Sequence, residues 1–421
     1  MSEKTIYGLL GAHLGHSFSP YIHRRLGDDA YALYELREEE LEAFVSREDL
    51  GGVNVTIPYK QAVLSFADEA SDTARRIGAA NTLYRRDGKL LAENTDVAGF
   101  LHLVRVAGIE VRGKKVLVLG SGGASKAVTE ALRQLEAGTV LIVSRSGGDL
   151  PLISYEDLPS HYDADVLVNT TPVGMYPDNL SSPLDLKPFH KLSGVLDIVY
   201  NPLRTGLLLQ AEQRGLPCAN GLPMLVAQAV RSHELFFDTS VDDSVIEAIT
   251  NDLTKDAENI VLIGMPGSGK STVAKLLAER TGRDVVELDS AIEAAAGKPI
   301  PQIFAEDGET VFRDLEAACI AKAGARSGVI LSLGGGAVTR EENYLPLHQN
   351  GRIYCLRREL SKLATDGRPL SRGLDALKEM EQVRAPMYER FADVFLDNNG
   401  TPEETADAIL ADFLDSPSAL R

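Results

Sequence analysis

The segment that most constrains the fold of this 421-residue chain is residues 264–272, GMPGSGKST, which directly follows the apolar run 260–263. The pattern GxxxxGK[ST] is met by Gly264, Gly269, Lys270 and Ser271, with Gly267, Ser268 and Thr272 completing the turn. Such a turn works only between a strand and a helix. Its glycines let backbone N–H groups turn inward around phosphate oxygens, and the helix N-terminus adds partial positive charge. Lys270 then reaches the β and γ phosphates of ATP, and Ser271 coordinates magnesium. The helix from Lys270 carries Val273, Leu276 and Leu277 on one face and is expected to stop at Gly282.

A second glycine turn lies upstream. The run 116–119, VLVL, passes into Gly120, Ser121, Gly122, Gly123, Ala124 and Ser125, and residues 127–135 then alternate as a helix does. This is the strand–turn–helix of a dinucleotide-binding Rossmann unit. The spacing GxGGAS is a variant, and glycine turns after strands also serve packing alone, so the turn by itself does not decide. The next apolar run, 140–143, ends in Ser144, Arg145 and Ser146 instead of an acid. A guanidinium flanked by hydroxyls suits a 2'-phosphate, where a carboxylate would repel it, so NADP is preferred over NAD.

Apolar runs of strand length alternate with helical periodicity along the whole chain, with further runs at 166–168 and 329–333. The fold class is therefore α/β with parallel sheets, and the length allows two or three domains. Residues 238–258 hold seven acidic residues and one lysine, with Val245, Ile246, Ile249 and Leu253 on one helical face. This reads as one amphipathic helix packed back on the first half, with residues 255–258 as a short connection lacking Gly/Ser or Pro-rich sequence.

A net charge of −18 and a pI near 5.0 argue against a nucleic-acid partner. Cys218, Cys319 and Cys355 have no CxxC spacing and are expected as buried small residues. The first residues, MSEKTIYGLL, are too charged for a signal peptide or membrane span, which gives a cytoplasmic location as the expectation.

Around the phosphate loop the sequence becomes specific. Glu287, Leu288 and Asp289 end an expected second strand; Phe312 and Arg313, the LGGG of 333–336, Arg368-Pro369-Leu370 and Arg384-Ala385-Pro386-Met387-Tyr388 follow in order. Any one of these arginines alone would read as a solvated surface charge. The ordered set closely resembles shikimate kinase. The resemblance implies that Asp289 orients substrate hydroxyls and offers a general base, and that Arg313 and Arg384 hold the substrate carboxylate. It also implies that Gly334, Gly335 and Gly336 approach the ring and that Arg368, on a short lid at 361–372, neutralises the transferring phosphate. Glu287 stands where the family has aspartate; it is kept with Ser271 as a magnesium-side ligand.

The first half carries an equally dense series: His16-Ser17-Phe18-Ser19-Pro20, NVTIPYK at 54–60, GAANT at 78–82, NTD at 94–96, NTTPVGM at 169–175, DIVYNP at 197–202 and MLVAQ at 224–228. Polar loops of this kind can be turn chemistry only. In this order they resemble shikimate dehydrogenase over nearly all of residues 1–255. The resemblance implies a substrate domain at 1–100 and 223–255, a Rossmann NADP domain at 101–222, and a P-loop kinase domain at 256–421. Ser17 and Ser19 would bind the substrate carboxylate, Thr56, Asn81 and Gln228 the ring oxygens, and Tyr200 would line the site. Lys60 and Asp96 are the implied catalytic pair, assigned jointly because an ordinary ion pair is the bland alternative and the proton donor is not readable. Gly120, Gly122, Gly123, Ala124, Ser144, Arg145 and Gly221 would meet the cofactor. Residues 147–159 are too short and too rich in Gly and Pro for a crossover helix.

Joined, the halves look like a fused dehydrogenase and kinase whose reactions are consecutive: 3-dehydroshikimate reduced by NADPH, then shikimate phosphorylated by ATP with magnesium. A pseudoenzyme scaffold and a quinate-directed, NAD-linked first half are the competing readings. Small molecules are the expected partners, homo-oligomerisation is left open, and channelling between the sites is a hypothesis only.

Overall fold

The computed structural model describes residues 5–15, 17–147, 151–363 and 374–415. His16, Arg368 and most of the expected lid lie outside the described residues.

Three sheets organise the chain. The first runs in the order Ala32–Glu35, Ile6–Gly11, Leu50–Val55, Thr82–Arg86, Lys89–Glu93, Glu69–Ala70. Contrary to the expectation of parallel sheets throughout, this one is mixed: Thr82–Arg86 pairs antiparallel with both Leu50–Val55 and Lys89–Glu93. The cause is local. Asp87 and Gly88 join the hairpin with φ of 51° and 78°. Two positive φ values in succession make the tight turn whose twist matches paired strands, and Asp-Gly is its sequence signal.

The second sheet, Cys218–Ala219, Gly194–Asp197, Val166–Asn169, Lys115–Leu119, Thr139–Ser144, Leu152–Ser154, is parallel throughout. Its central strand is covered on both faces, so apolar residues occupy every inner position. Val116 and Val118 join one core with Phe100, Leu103 and Val128, while Leu117 and Leu119 join the other with Leu167, Phe189 and Leu208. In line with the Gly/Pro content, no α-helix crosses between the last two strands among the described residues. Leu152–Ser154 follows within a few residues and leads into a 3-10 turn, Tyr155–His161.

The third sheet, Val285–Glu287, Ile330–Ser332, Asn259–Ile263, Gly351–Arg357, Val394–Asp397, is also parallel. The helix Lys270–Thr281 leaves the glycine turn and ends at Gly282 with φ of 71°, the left-handed cap expected there.

The helix Asp243–Ala257 packs back on the first half, with Ile246, Ile249 and Leu253 against Ile22, Leu222, Val226 and Val230. It extends further than the sequence suggested: of the expected connection 255–258, only Glu258 separates helix from strand. Arg283 of the second half fastens this joint, donating to the Glu258 carbonyl at 2.5 Å and the Lys255 carbonyl at 2.6 Å. The helix Asp96–Val106 likewise runs through the expected 100/101 boundary. Cys218 and Cys355 are buried, whereas Cys319 is only half-buried, unlike the expectation for all three. Among the described residues no helix is long and apolar enough to cross a membrane.

Candidate active sites

In the first half, Lys60 Nζ donates to Asp96 Oδ2 at 2.6 Å. Asp96 Oδ1 accepts from Asn81 Nδ2 at 2.9 Å, and the same amide faces Gln228 Oε1 at 3.4 Å. Three separate segments supply these groups. Lys60 follows the strand Leu50–Val55 and its carbonyl accepts from Ala80 N at 2.7 Å, which ties the Lys60 turn to the Asn81 loop. Asp96 opens the helix Asp96–Val106, where the helix dipole favours a carboxylate. Gln228 comes from the helix Leu222–Phe237, which approaches closely because Gly99 has no side chain: a Cβ there would stand 2.6 Å from the Met224 carbonyl.

Behind these groups lies a buried polar network, of which Asn54, Thr82 and Thr95 stand in motifs quoted from the sequence without a role and Ser232 was not singled out. Asn54 Nδ2 donates to Ser232 Oγ at 2.6 Å and Thr82 Oγ1 at 3.2 Å, and Ser232 Oγ stands 3.1 Å from Thr95 Oγ1. Asn81 Oδ1 accepts from Thr95 N at 2.7 Å, which fixes which way the amide points. Thr56 sits at the edge of the same sheet, its N–H bonded to the Leu10 carbonyl at 2.9 Å. Ser17 Oγ accepts from Ser19 N at 3.2 Å as Ser19 begins the helix Ser19–Arg25. Tyr200 packs its ring 5.9 Å from that of Phe18, and burial pushes its phenol above the ordinary value.

On the cofactor side, Gly120 has φ of 100°, and a Cβ there would stand 2.9 Å from the Thr171 methyl. Around Gly122 and Gly123 nothing lies within 4 Å of a built Cβ, leaving the start of the helix Gly123–Gln134 open beside Ala124. Arg145 is exposed beyond the strand Thr139–Ser144, while Ser144 is buried and its hydroxyl accepts from Gly147 N at 3.2 Å. Gly221 caps the helix Leu222–Phe237, and a Cβ would meet the Ile198 carbonyl at 2.0 Å, so packing already demands glycine there. Asp197, which opens the DIVYNP motif but has no role read from the sequence, is fully buried and accepts from Asn169 Nδ2 at 2.9 Å, Val199 N at 3.0 Å and Thr205 Oγ1 at 2.7 Å. Burial nevertheless pushes its carboxyl up to about 7.

In the second half, Gly264, Gly267 and Gly269 adopt φ of 140°, 83° and 96°, backbone that only glycine takes without strain. Lys270 Nζ folds back onto the Gly264 and Met265 carbonyls at 2.9 and 3.0 Å. Ser271 Oγ donates to Glu287 Oε2 at 3.0 Å, and Glu287 Oε1 is buried with no hydrogen-bond partner. A hydroxyl and a carboxylate with an unused buried oxygen fit magnesium, which keeps several waters and takes one or two protein oxygens. Asp289 is not at a strand end as expected. The strand Val285–Glu287 stops earlier, and Asp289 lies in the first turn of the helix Leu288–Ala296.

A cavity of about 400 Å³ connects the phosphate loop with Glu287, Asp289, Arg313, Gly334, Gly335, Gly336 and Arg384. The glycine run is closely surrounded: a Cβ on Gly335 would stand 2.6 Å from Pro266 Cδ, and one on Gly336, 2.2 Å from Arg313 Nη1, would push the guanidinium aside. Arg384 Nη1 donates to the Gly335 carbonyl at 2.8 Å. Glu316 was not singled out from the sequence, although its i,i+3 spacing from Arg313 was visible. It accepts from Arg313 Nη1 at 2.6 Å, and burial raises its carboxyl while Arg313 pulls it back. Arg358 and Phe304 also line this cavity.

Family models match at both ends: shikimate dehydrogenase substrate binding domain over residues 9–83 and shikimate kinase over residues 266–414. A shikimate dehydrogenase (NADP(+)) of Caldicellulosiruptor bescii is 39% identical over 275 residues, 59% of this chain and 95% of that one. A chorismate mutase/shikimate 5-dehydrogenase fusion protein from Clostridium acetobutylicum superposes with TM-score 0.57 at 38% identity, over 60% of this chain and 97% of that one. The Thermus thermophilus shikimate 5-dehydrogenase in complex with NADP(H) and shikimate gives TM-score 0.53 at 34% identity, over 59% of this chain and 99% of that one. With the Lys60–Asp96 pair and the phosphate-loop cavity in place, the chain belongs to the shikimate dehydrogenase family over its N-terminal part and carries a shikimate kinase domain behind it, a bifunctional fusion.

Proposed function

We propose that the first half reduces 3-dehydroshikimate to shikimate with NADPH and that the second half transfers a phosphoryl group from ATP to the hydroxyl so formed. The observation that supports this reading is that each half brings its own polar cluster together, around Lys60–Asp96 and around Lys270, Asp289 and Arg313. NADPH supplies the hydride for the ring carbonyl. Lys60 holds a proton at the oxygen where negative charge develops, and Asp96 keeps that ammonium oriented. Asn81 and Gln228 bind the neighbouring hydroxyls, Thr56 and Tyr200 line the ring, and Ser17 and Ser19 take the carboxylate. Arg145 binds the 2'-phosphate beyond the turn of Gly120, Gly122 and Gly123.

In the kinase half, Ser271 with Glu287 would hold magnesium, which would supply charge neutralisation for the phosphates. Arg313 and Arg384 bind the shikimate carboxylate, and Asp289 orients the accepting hydroxyl and takes its proton. Lys270 exchanges its loop carbonyls for phosphate oxygens. Little covalent chemistry is asked of the protein; placement and charge do the work. The test is a coupled assay with 3-dehydroshikimate, NADPH and Mg-ATP, read as shikimate 3-phosphate. Quinate with NAD run in parallel is the competing arm, and faster turnover there would overturn the assignment of the first half.

A further inference from the structure

Beyond the Arg283 joint, the kinase half touches the dehydrogenase half at a buried, hydrogen-bonded place. The helix Tyr344–Asn350 ends there, followed by the strand Gly351–Arg357. Gln349 Oε1 accepts from Asn179 Nδ2 at 2.6 Å, Gln349 Nε2 donates to the Asn179 carbonyl, and the Gln349 carbonyl accepts from Arg204 N at 2.8 Å. Asn350 Oδ1 accepts from Leu203 N at 2.8 Å, and Arg204 Nη2 donates to the Gly351 carbonyl at 2.5 Å. Gln349 is 0% exposed and Asn350 2%.

Asn179 and Leu203–Arg204 belong to the two loops that leave the strands Val166–Asn169 and Gly194–Asp197 at their C-terminal ends. That edge of an open parallel sheet is where ligands bind. The loops are joined to each other by Tyr176 N donating to the Asn201 carbonyl at 3.0 Å. Tyr200 lies in the second loop, which the bond from Thr205 to Asp197 closes at 2.7 Å and which Leu203 and Arg204 tie to Asn350 and Gln349.

We propose that Gln349 and Asn350, residues of the kinase half, are positioning residues of the dehydrogenase, clamping the paired loops that carry Tyr200. Groups buried this completely cannot exchange their partners for water, so breaking the clamp leaves unpaired backbone and amide groups, and the loops must shift to satisfy them. The inference rests on the reading of Tyr200 as a substrate contact.

The test uses full-length Gln349→Met and Asn350→Leu, which keep volume and remove the side-chain bonds to Asn179 and Leu203, with Asn350→Asp retaining the acceptor for Leu203. The expected result is a rise of about tenfold in the dehydrogenase KM for shikimate, with kcat changed less than about twofold and kinase constants unchanged. Asn350→Asp should recover most of the loss. A purely cementing interface predicts otherwise: a lower melting temperature with the dehydrogenase KM unmoved, or both activities falling in proportion, and either result overturns the proposal. Tyr200→Phe run alongside separates the two readings. A KM shift there without one in the clamp variants sinks the clamp; a shift in the clamp variants without one in Tyr200→Phe removes the role given to Tyr200 and leaves the clamp acting through the Asn179 loop.

Discussion

Lys60 Nζ and Asp96 Oδ2 meet at 2.6 Å although 36 residues separate them, and neither is held by the pair alone. The Lys60 carbonyl is tied to Ala80 and the second Asp96 oxygen to Asn81, so replacing one partner leaves the other in place. Lys60→Ala should therefore lower reduction by about 10²–10⁴-fold, the usual weight of a positioned acid–base group, and leave phosphorylation unchanged. Separate dehydrogenase and kinase assays on one preparation check it; loss of both would sink the two-site reading.

The complementary experiment lies in the phosphate loop. Lys270→Ala should remove kinase turnover by on the order of 10³-fold while reduction continues. Glu287→Gln, which keeps the shape but not the charge beside Ser271, should raise the magnesium concentration needed for half-maximal kinase rate and leave ATP-independent reduction untouched.

Arg145 is exposed beyond its strand, placed to meet solvent or a ligand phosphate. Arg145→Ala should raise the KM for NADPH by about ten- to a hundredfold, the loss of charge-assisted hydrogen bonds, with the KM for NADH nearly constant. Equal shifts for both cofactors would remove the assignment to the 2'-phosphate.

Asp197 gives stability a pH dependence of known sign. Its carboxyl rises from an ordinary 3.8 to about 7 in the fold, so between those values the native state holds a proton that the unfolded chain has released. Its contribution is fully present below pH 3.8 and is lost as pH rises through 7. The melting temperature of the native protein should fall more steeply from pH 5 to pH 8 than that of Asp197→Asn, followed by thermal scans at constant ionic strength.

Glu316→Gln should raise the kinase KM for shikimate several-fold, because Arg313 loses a charged partner at 2.6 Å and its guanidinium is freed from one orientation. Kinase saturation curves at fixed ATP test this, and an unchanged KM would make Glu316 a packing residue.

What could be read from the sequence was whatever depends on near neighbours along the chain. The phosphate loop, its helix and the Gly282 cap are set within nineteen consecutive residues, 264–282, and the strand-ending Ser144-Arg145 within two. The network that joins Asn54, Thr82 and Thr95, quoted only as motif residues, to Ser232 was not legible, because each looks like ordinary turn or helix polarity until the first sheet and the helix Leu222–Phe237 are brought together. Asp289 is expected at a strand end, yet the helix begins at Leu288. The Asp87-Gly88 pair carries a local hairpin signal that the reading of parallel sheets did not take up.

The single residue Glu258 between the helix Asp243–Ala257 and the strand Asn259–Ile263 bears on how such a gene can be divided. Two enzymes on a string could be separated anywhere along the string. Here a cut before Glu258 strips Arg283 of the Lys255 carbonyl, and a cut after it removes both of its carbonyl acceptors together with the residue that leads into the central strand of the kinase sheet. Each half would therefore need resurfacing before it could live alone, and an inserted flexible spacer at this point is the cleanest way to ask what the rigid joint contributes.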